Sequence, residues 1–222
     1  GFAGGLTVTV GMMPLKKASA AAFYAVKGTS LTHGMNKILL DTSPEDLQQL
    51  NRDKMVEMGV RETVINEFLH NPAYSPRHKT ILVHALAEMQ GVKNREQFIK
   101  KALFAEYEEE AFLYQRMAEM LYGYHTHVKP IKELVPVRKF AVGYTSDQTV
   151  VATFPIDLLY WTELSDLGSA ALAKLDLSGR PIKKTELWFT GSLTPKAMQE
   201  LSARGLEIKE LAGEILMPAE EQ

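Results

Sequence analysis

Residues 94–123 read NREQFIKKALFAEYEEEAFLYQRMAEMLYG, and the periodicity of this stretch decides the fold class. Asn94, with Gln97 three residues on, is a capping-box start, and Gly123 offers a natural stop. Between them the pattern predicts one long central helix, about 45 Å at 1.5 Å per residue. At 100° per residue, Lys101, Glu108, Gln115 and Glu119 share one narrow stripe, the expected wet side. Apolar residues from Phe98 to Leu121 cover most of the remaining circumference, so other elements should surround this helix.

Two carboxylates break that pattern. Glu106 and Glu110 are four residues apart, on the line of Ile99, Leu103, Leu113 and Met117. Like charges one turn apart on an apolar face repel, and desolvation worsens this unless a cation or metal stands opposite. Beyond the helix, His125-Thr126-His127 can present two imidazoles to one metal if the segment is extended. A plain electrostatic account also serves, since partial positive charge is favoured at a helix C-terminus. Glu106, Glu110, His125 and His127 are therefore the candidate polar site.

Working outward, Ser43-Pro44 and Ser75-Pro76 are helix starts, an N-cap serine followed by proline at the first helical position. The helices they open are expected to end near Gly59 and Gly91, with another between Arg61 and His70. Ala18–Lys27 suggests a short helix closed by Gly28. Gly1–Leu15 is apolar but short of the roughly 20 residues that cross a bilayer; it reads as a core-packing or membrane-contacting arm.

After Pro136 the period changes. Val137–Tyr144 and Thr149–Phe154 predict a β-hairpin, followed by a helix over about 158–175. Thr185–Thr190, a helix opened by Thr194-Pro195 and ended by Gly205, and Leu206–Leu211 predict a β-α-β unit with parallel strands. The fold class is thus α+β: a helical N-terminal two-thirds around one long helix, then a small mixed sheet of about four strands with two helices. Three parts are expected: an arm over 1–42, a helical part over 43–133 and a sheet part over 134–217. They can also form a single domain. Thr190–Thr194 joins a strand to a capped helix and could hold an anion, though it lacks the glycine spacing of a phosphate loop.

Composition narrows the classes. A chain of 222 residues, 45% hydrophobic and 23% charged, can bury a core and is not a disordered tract. A net charge of −2 gives no positive field, so nucleic acid is not expected as a partner. With no cysteine, disulfides, thiolate metal sites and cysteine nucleophiles are all excluded. No motif calls for a cofactor.

Several phrases together, FAGG at 2–5, SPEDLQQLN at 43–51, FLHNPAYSP at 68–76, FPIDLLYWTE at 154–163 and ELWFTGSLTPKAMQELSARGLEI at 186–208, resemble the C-terminal region of an uncharacterised family of exported proteobacterial proteins. The resemblance implies a periplasmic or envelope setting and a longer parent chain, and no activity. Two functional expectations follow. One is a non-catalytic interaction or structural module of the bacterial cell envelope, using a protein partner, self-association or membrane contact through the N-terminal arm. The other is a metal-assisted hydrolase using Glu106, Glu110, His125 and His127.

Overall fold

The structure is a computed structural model and describes Met35 and residues 38–218. The expected arm over 1–15 and the helix over Ala18–Lys27 lie outside these residues. Eight helices can be numbered from Pro44: α1 (Pro44–Glu57), α2 (Glu62–His70), α3 (Pro76–Glu88), α4 (Glu96–Ala102), α5 (Glu108–Gly123), α6 (Glu163–Ala173), α7 (Pro195–Ala203) and α8 (Gly213–Leu216). The strands are β1 (Ile131–Val137), β2 (Phe140–Thr145), β3 (Thr149–Phe154), β4 (Leu158–Leu159), β5 (Lys184–Phe189), β6 (Ser192–Leu193) and β7 (Leu206–Lys209). A π-helical turn, Tyr124–Val128, prolongs α5. Among the described residues no helix is long and apolar enough to cross a membrane.

The chain is α+β, a helical N-terminal part followed by a mixed five-stranded sheet with interspersed helices. The strand order is β1-β2-β3-β5-β7. The first three strands run antiparallel and the last three parallel, with α7 crossing between β5 and β7. The alternation of β5 shows how the layers divide. Trp188 enters the core formed with the N-terminal helices, alongside Phe68, Phe98, Met117 and Tyr124. Leu187 and Phe189 enter a second core with Leu172 of α6 and Leu201 of α7. Side chains of period two thus feed helices on both faces of the sheet.

Residues 94–123 do not form one helix. The backbone leaves the helical path after Ala102 and re-enters it at Glu108, with Tyr107 extended between (φ −131°, ψ 160°). Glu108, Glu109 and Glu110 then occupy the first turn of α5, where the positive end of the helix favours acids that would repel one another mid-helix. The groups freed by the break find partners. The Tyr74 hydroxyl donates to the Ala102 carbonyl at 2.9 Å, and the Asn71 amide donates to the Ala105 carbonyl at 3.2 Å. The Glu110 carboxylate accepts from the Glu106 N–H at 2.8 Å. Asn94 is no N-cap either: its φ is +61°, and its carbonyl accepts from the Gln97 N–H.

The broken axis overturns the expected wet stripe. Gln115 and Glu119 are buried where α5 packs on α3, although Glu108 stays exposed. Gly123 is not a left-handed stop. It has helical angles, and a Cβ there would lie 1.6 Å from the Leu216 carbonyl oxygen, so its missing side chain lets α8 approach.

The sheet has one strand more than expected. β1 occupies the Pro130–Pro136 stretch that reads as a boundary, and Pro136 is tolerated because β1 is an edge strand. The expected helix over 158–175 is shorter, starting at Glu163 behind the capping side chain of Thr162, after the two residues of β4.

Candidate functional site

The four residues singled out from sequence do not converge. Glu106 lies exposed in the α4–α5 break, and Glu110 is half-buried in the first turn of α5. They are not a repelling pair on a buried helical face, because the segment between them is not one helix. His125 and His127 sit in the π turn at the opposite end of α5. The intervening helix separates the histidines from Glu110 by roughly 22 Å at 1.5 Å per residue. One ion cannot take ligands from both ends, since ligand bonds to zinc are about 2 Å long. His125 instead uses Nδ1 to accept the Ile131 N–H at 3.0 Å, which fastens the π turn to β1. Burial holds its pKa below the ordinary histidine value. His127 is exposed. Among the described residues no group of three or more His, Asp or Glu side chains is placed to hold a metal.

The Thr190–Thr194 loop has no free N–H groups for an anion. Those of Thr190, Gly191, Ser192 and Thr194 donate to the carbonyls of Phe154, Ile156, Asp157 and Leu159, and that of Leu193 donates to the Glu210 carboxylate. The loop is a seam between the β3 and β5 exits. Gly191 lies so close that a Cβ would meet the Asp157 carbonyl oxygen at 1.9 Å.

The strongest polar constellation in the interior went unread in the sequence. Glu186, on the interior strand β5, is 5% exposed. Its carboxylate accepts from the Tyr124 hydroxyl at 3.1 Å and from the Trp188 indole at 2.9 Å, and pairs with the Lys184 ammonium at 2.6 Å. Burial opposes its charge, but these donors outweigh burial and hold its pKa below the ordinary value. The Tyr124 pKa is raised by burial and by the adjacent carboxylate, so its proton stays in place. Every partner of this carboxylate neutralises or satisfies it, which is the behaviour of a structural knot. The only sequence signal was a glutamate two residues from a tryptophan on a strand. Glu119 is likewise buried, taking hydrogen bonds from Gln115 at 2.7 Å and Arg116 at 3.1 Å.

Among the described residues large apolar side chains are also exposed at Leu40, Val56, Tyr160, Leu211 and Ile215, and the break displays two neighbouring aromatic ones. Phe104 and Tyr107 stand 50% and 56% exposed there. The ammonium groups of Lys101 and Lys139 lie 5.7 and 5.9 Å from the centre of the Phe104 ring. Beside Tyr107 a groove of about 330 Å³ opens between residues 72–75 on one wall and Glu106, Tyr107 and Glu108 on the other. The two walls are tied together by the Tyr74 and Asn71 hydrogen bonds to the backbone of 102–105. Comparison with protein-family models, curated proteins and solved structures found no match to the chain.

Proposed function

We propose that this chain is a non-catalytic interaction module whose contact surface is the α4–α5 break, acting in the envelope setting that the sequence resemblance implies. The observation that supports this is the display of Phe104 and Tyr107 on a backbone segment held by specific hydrogen bonds. Aromatic side chains are enriched at protein contact surfaces, where a large area is gained for little loss of rotamer freedom. Prior ordering of the backbone lowers the entropy cost of binding. The buried carboxylates of Glu186 and Glu119 each have their own hydrogen-bond and ion-pair partners. The hydrolase reading lacks geometric support, because α5 holds its two halves apart.

The test is site-specific photo-crosslinking in the cells that make the protein. A photoreactive amino acid replacing Phe104 should yield a discrete adduct, whereas one replacing the exposed Leu167 on α6 should not. The reading fails if position 104 gives no adduct, or only the diffuse background of position 167.

A further inference from the structure

We propose that the groove beside Tyr107 receives an arginine side chain carried by a peptide segment of the partner; this rests on reading the α4–α5 break as a contact surface. The volume, about 330 Å³, lies at the lower end of what ligand sites occupy and suits one long side chain with its flanking backbone. Its charge is one-sided. Glu106 and Glu108 line it, both are exposed, and neither forms an ion pair among the described residues. Arg77, two residues beyond Ser75 of the opposite wall, forms no ion pair with either of them. Glu108 faces the His78 imidazole, whose pKa burial holds below the ordinary histidine value, and two carboxylates without an ion pair repel anionic lipid, nucleic acid and acidic peptides. A divalent ion would need further oxygen ligands, and among the described residues no third carboxylate or imidazole joins these two in a metal-sized cluster.

The aromatic ring selects between the two cationic side chains. Tyr107 lies between the two acids in sequence and lines the groove with them. A guanidinium is planar, stacks on an aromatic face and pairs with carboxylates through two parallel N–H donors. An ammonium is a compact, strongly hydrated point charge and gains less from this combination. The groove is also formed before binding. Its first wall is braced by the Asn71 side chain, which accepts from the Ala73 N–H at 2.8 Å, and by the Tyr74 hydroxyl on the Ala102 carbonyl. The Glu110 carboxylate, held on the Glu106 N–H, fixes the second.

The experiment is a ¹⁵N NMR titration of the full chain with the peptide acetyl-Ala-Arg-Ala-amide, with its lysine counterpart, and with its citrulline counterpart, which keeps the shape of arginine and loses the charge. The arginine peptide should give saturable shifts at the amides of Ala73, Tyr74, Glu106 and Tyr107. The citrulline peptide should bind about tenfold more weakly or worse, and the lysine peptide should fall between them. The double variant Glu106→Gln, Glu108→Gln and the single variant Tyr107→Ala should each weaken arginine binding about three- to tenfold, with unchanged amide dispersion elsewhere. Equal binding of arginine and citrulline, or shifts spread over other acidic surfaces, would overturn the assignment. A crosslink from position 104 without arginine binding would overturn the ligand and leave the contact surface standing. Loss of both would overturn both.

Discussion

The hydroxyl of Tyr124 donates to the buried carboxylate of Glu186 at 3.1 Å, and this bond joins the π turn after α5 to the interior strand β5 of the sheet. The same carboxylate holds Trp188, whose ring meets Tyr124 edge-on with centroids 5.4 Å apart. One acidic side chain therefore organises the junction between the helical layer and the sheet. Its removal should be felt as a packing defect as well as a lost charge.

For Glu186→Ala we expect the unfolding free energy to fall by about 3–5 kcal/mol, the cost of leaving buried partners without their acceptor. Glu186→Gln, which keeps one acceptor oxygen, should lose less. Urea denaturation of both variants measures this. A loss below about 1 kcal/mol for Glu186→Ala would mean that water replaces the carboxylate and that the junction is held by apolar packing alone.

Two glycines should respond in opposite directions. Gly123→Ala places a methyl group against the Leu216 carbonyl, 1.6 Å from where its Cβ must sit. Either α8 shifts or the π turn distorts, and overpacking of this kind costs about 1–3 kcal/mol or more. Gly168, inside α6, has nothing within 4 Å of an added Cβ. Gly168→Ala should therefore stabilise by about 0.4–1 kcal/mol, through helix propensity and a less disordered unfolded chain. Thermal unfolding of the pair reads both signs in one experiment.

Stability should decline as pH falls below neutrality. His78, His84 and His125 are each held below the ordinary histidine value of 6.5, with burial as the largest cause. The unfolded chain then binds more protons than the folded one once pH drops through 6.5 toward the lower folded values. The stability present above 6.5 is lost across that window. Glu96 and Glu186, held below the ordinary 4.5, add their own loss only at pH values under 4.5. Urea midpoints at pH 7.5 and 5.5 test this, and His125→Asn should flatten part of the slope. A midpoint unchanged or higher at pH 5.5 would contradict it.

The clamp on the helix break gives a fourth expectation. Tyr74→Phe deletes the donor to the Ala102 carbonyl and leaves the ring, which packs on Phe68 with centroids 5.0 Å apart. A loss of about 1–2 kcal/mol is expected, with amide hydrogen exchange rising most at residues 103–107. Uniform exchange across α4 and α5 would show that the hydroxyl does not hold the break.

How far the sequence could be read follows the range of the interactions. Local signals were legible. The Ser43, Ser75 and Thr194 side chains cap their helices as their serine-proline and threonine-proline pairs suggest. Gly59 and Gly205 take positive φ at the ends of α1 and α7. The parallel pairing of β5 with β7 followed from the strand-helix-strand spacing. The α4–α5 break did not follow, because side-chain periodicity records phase and not the point where an axis turns. The run Glu108-Glu109-Glu110 carried the missing information as a first-turn acid signal. The groove was out of reach for another reason. Glu106 stands out in the local pattern, but the opposite wall comes from residues 72–75, some 30 positions earlier, and local pattern carries no such pairing.

The most direct test of the central claim, that the α4–α5 break is a contact surface and not merely a packing detail, is one comparison. Crosslinking from position 104 is measured with Tyr107 intact and in Tyr107→Ser, alongside thermal unfolding of both proteins. Because Tyr107 is 56% exposed, the account predicts stability within about 0.5 kcal/mol of the parent and a crosslinked adduct that is lost or strongly reduced. An undiminished adduct, or a stability loss of about 2 kcal/mol or more, would contradict it.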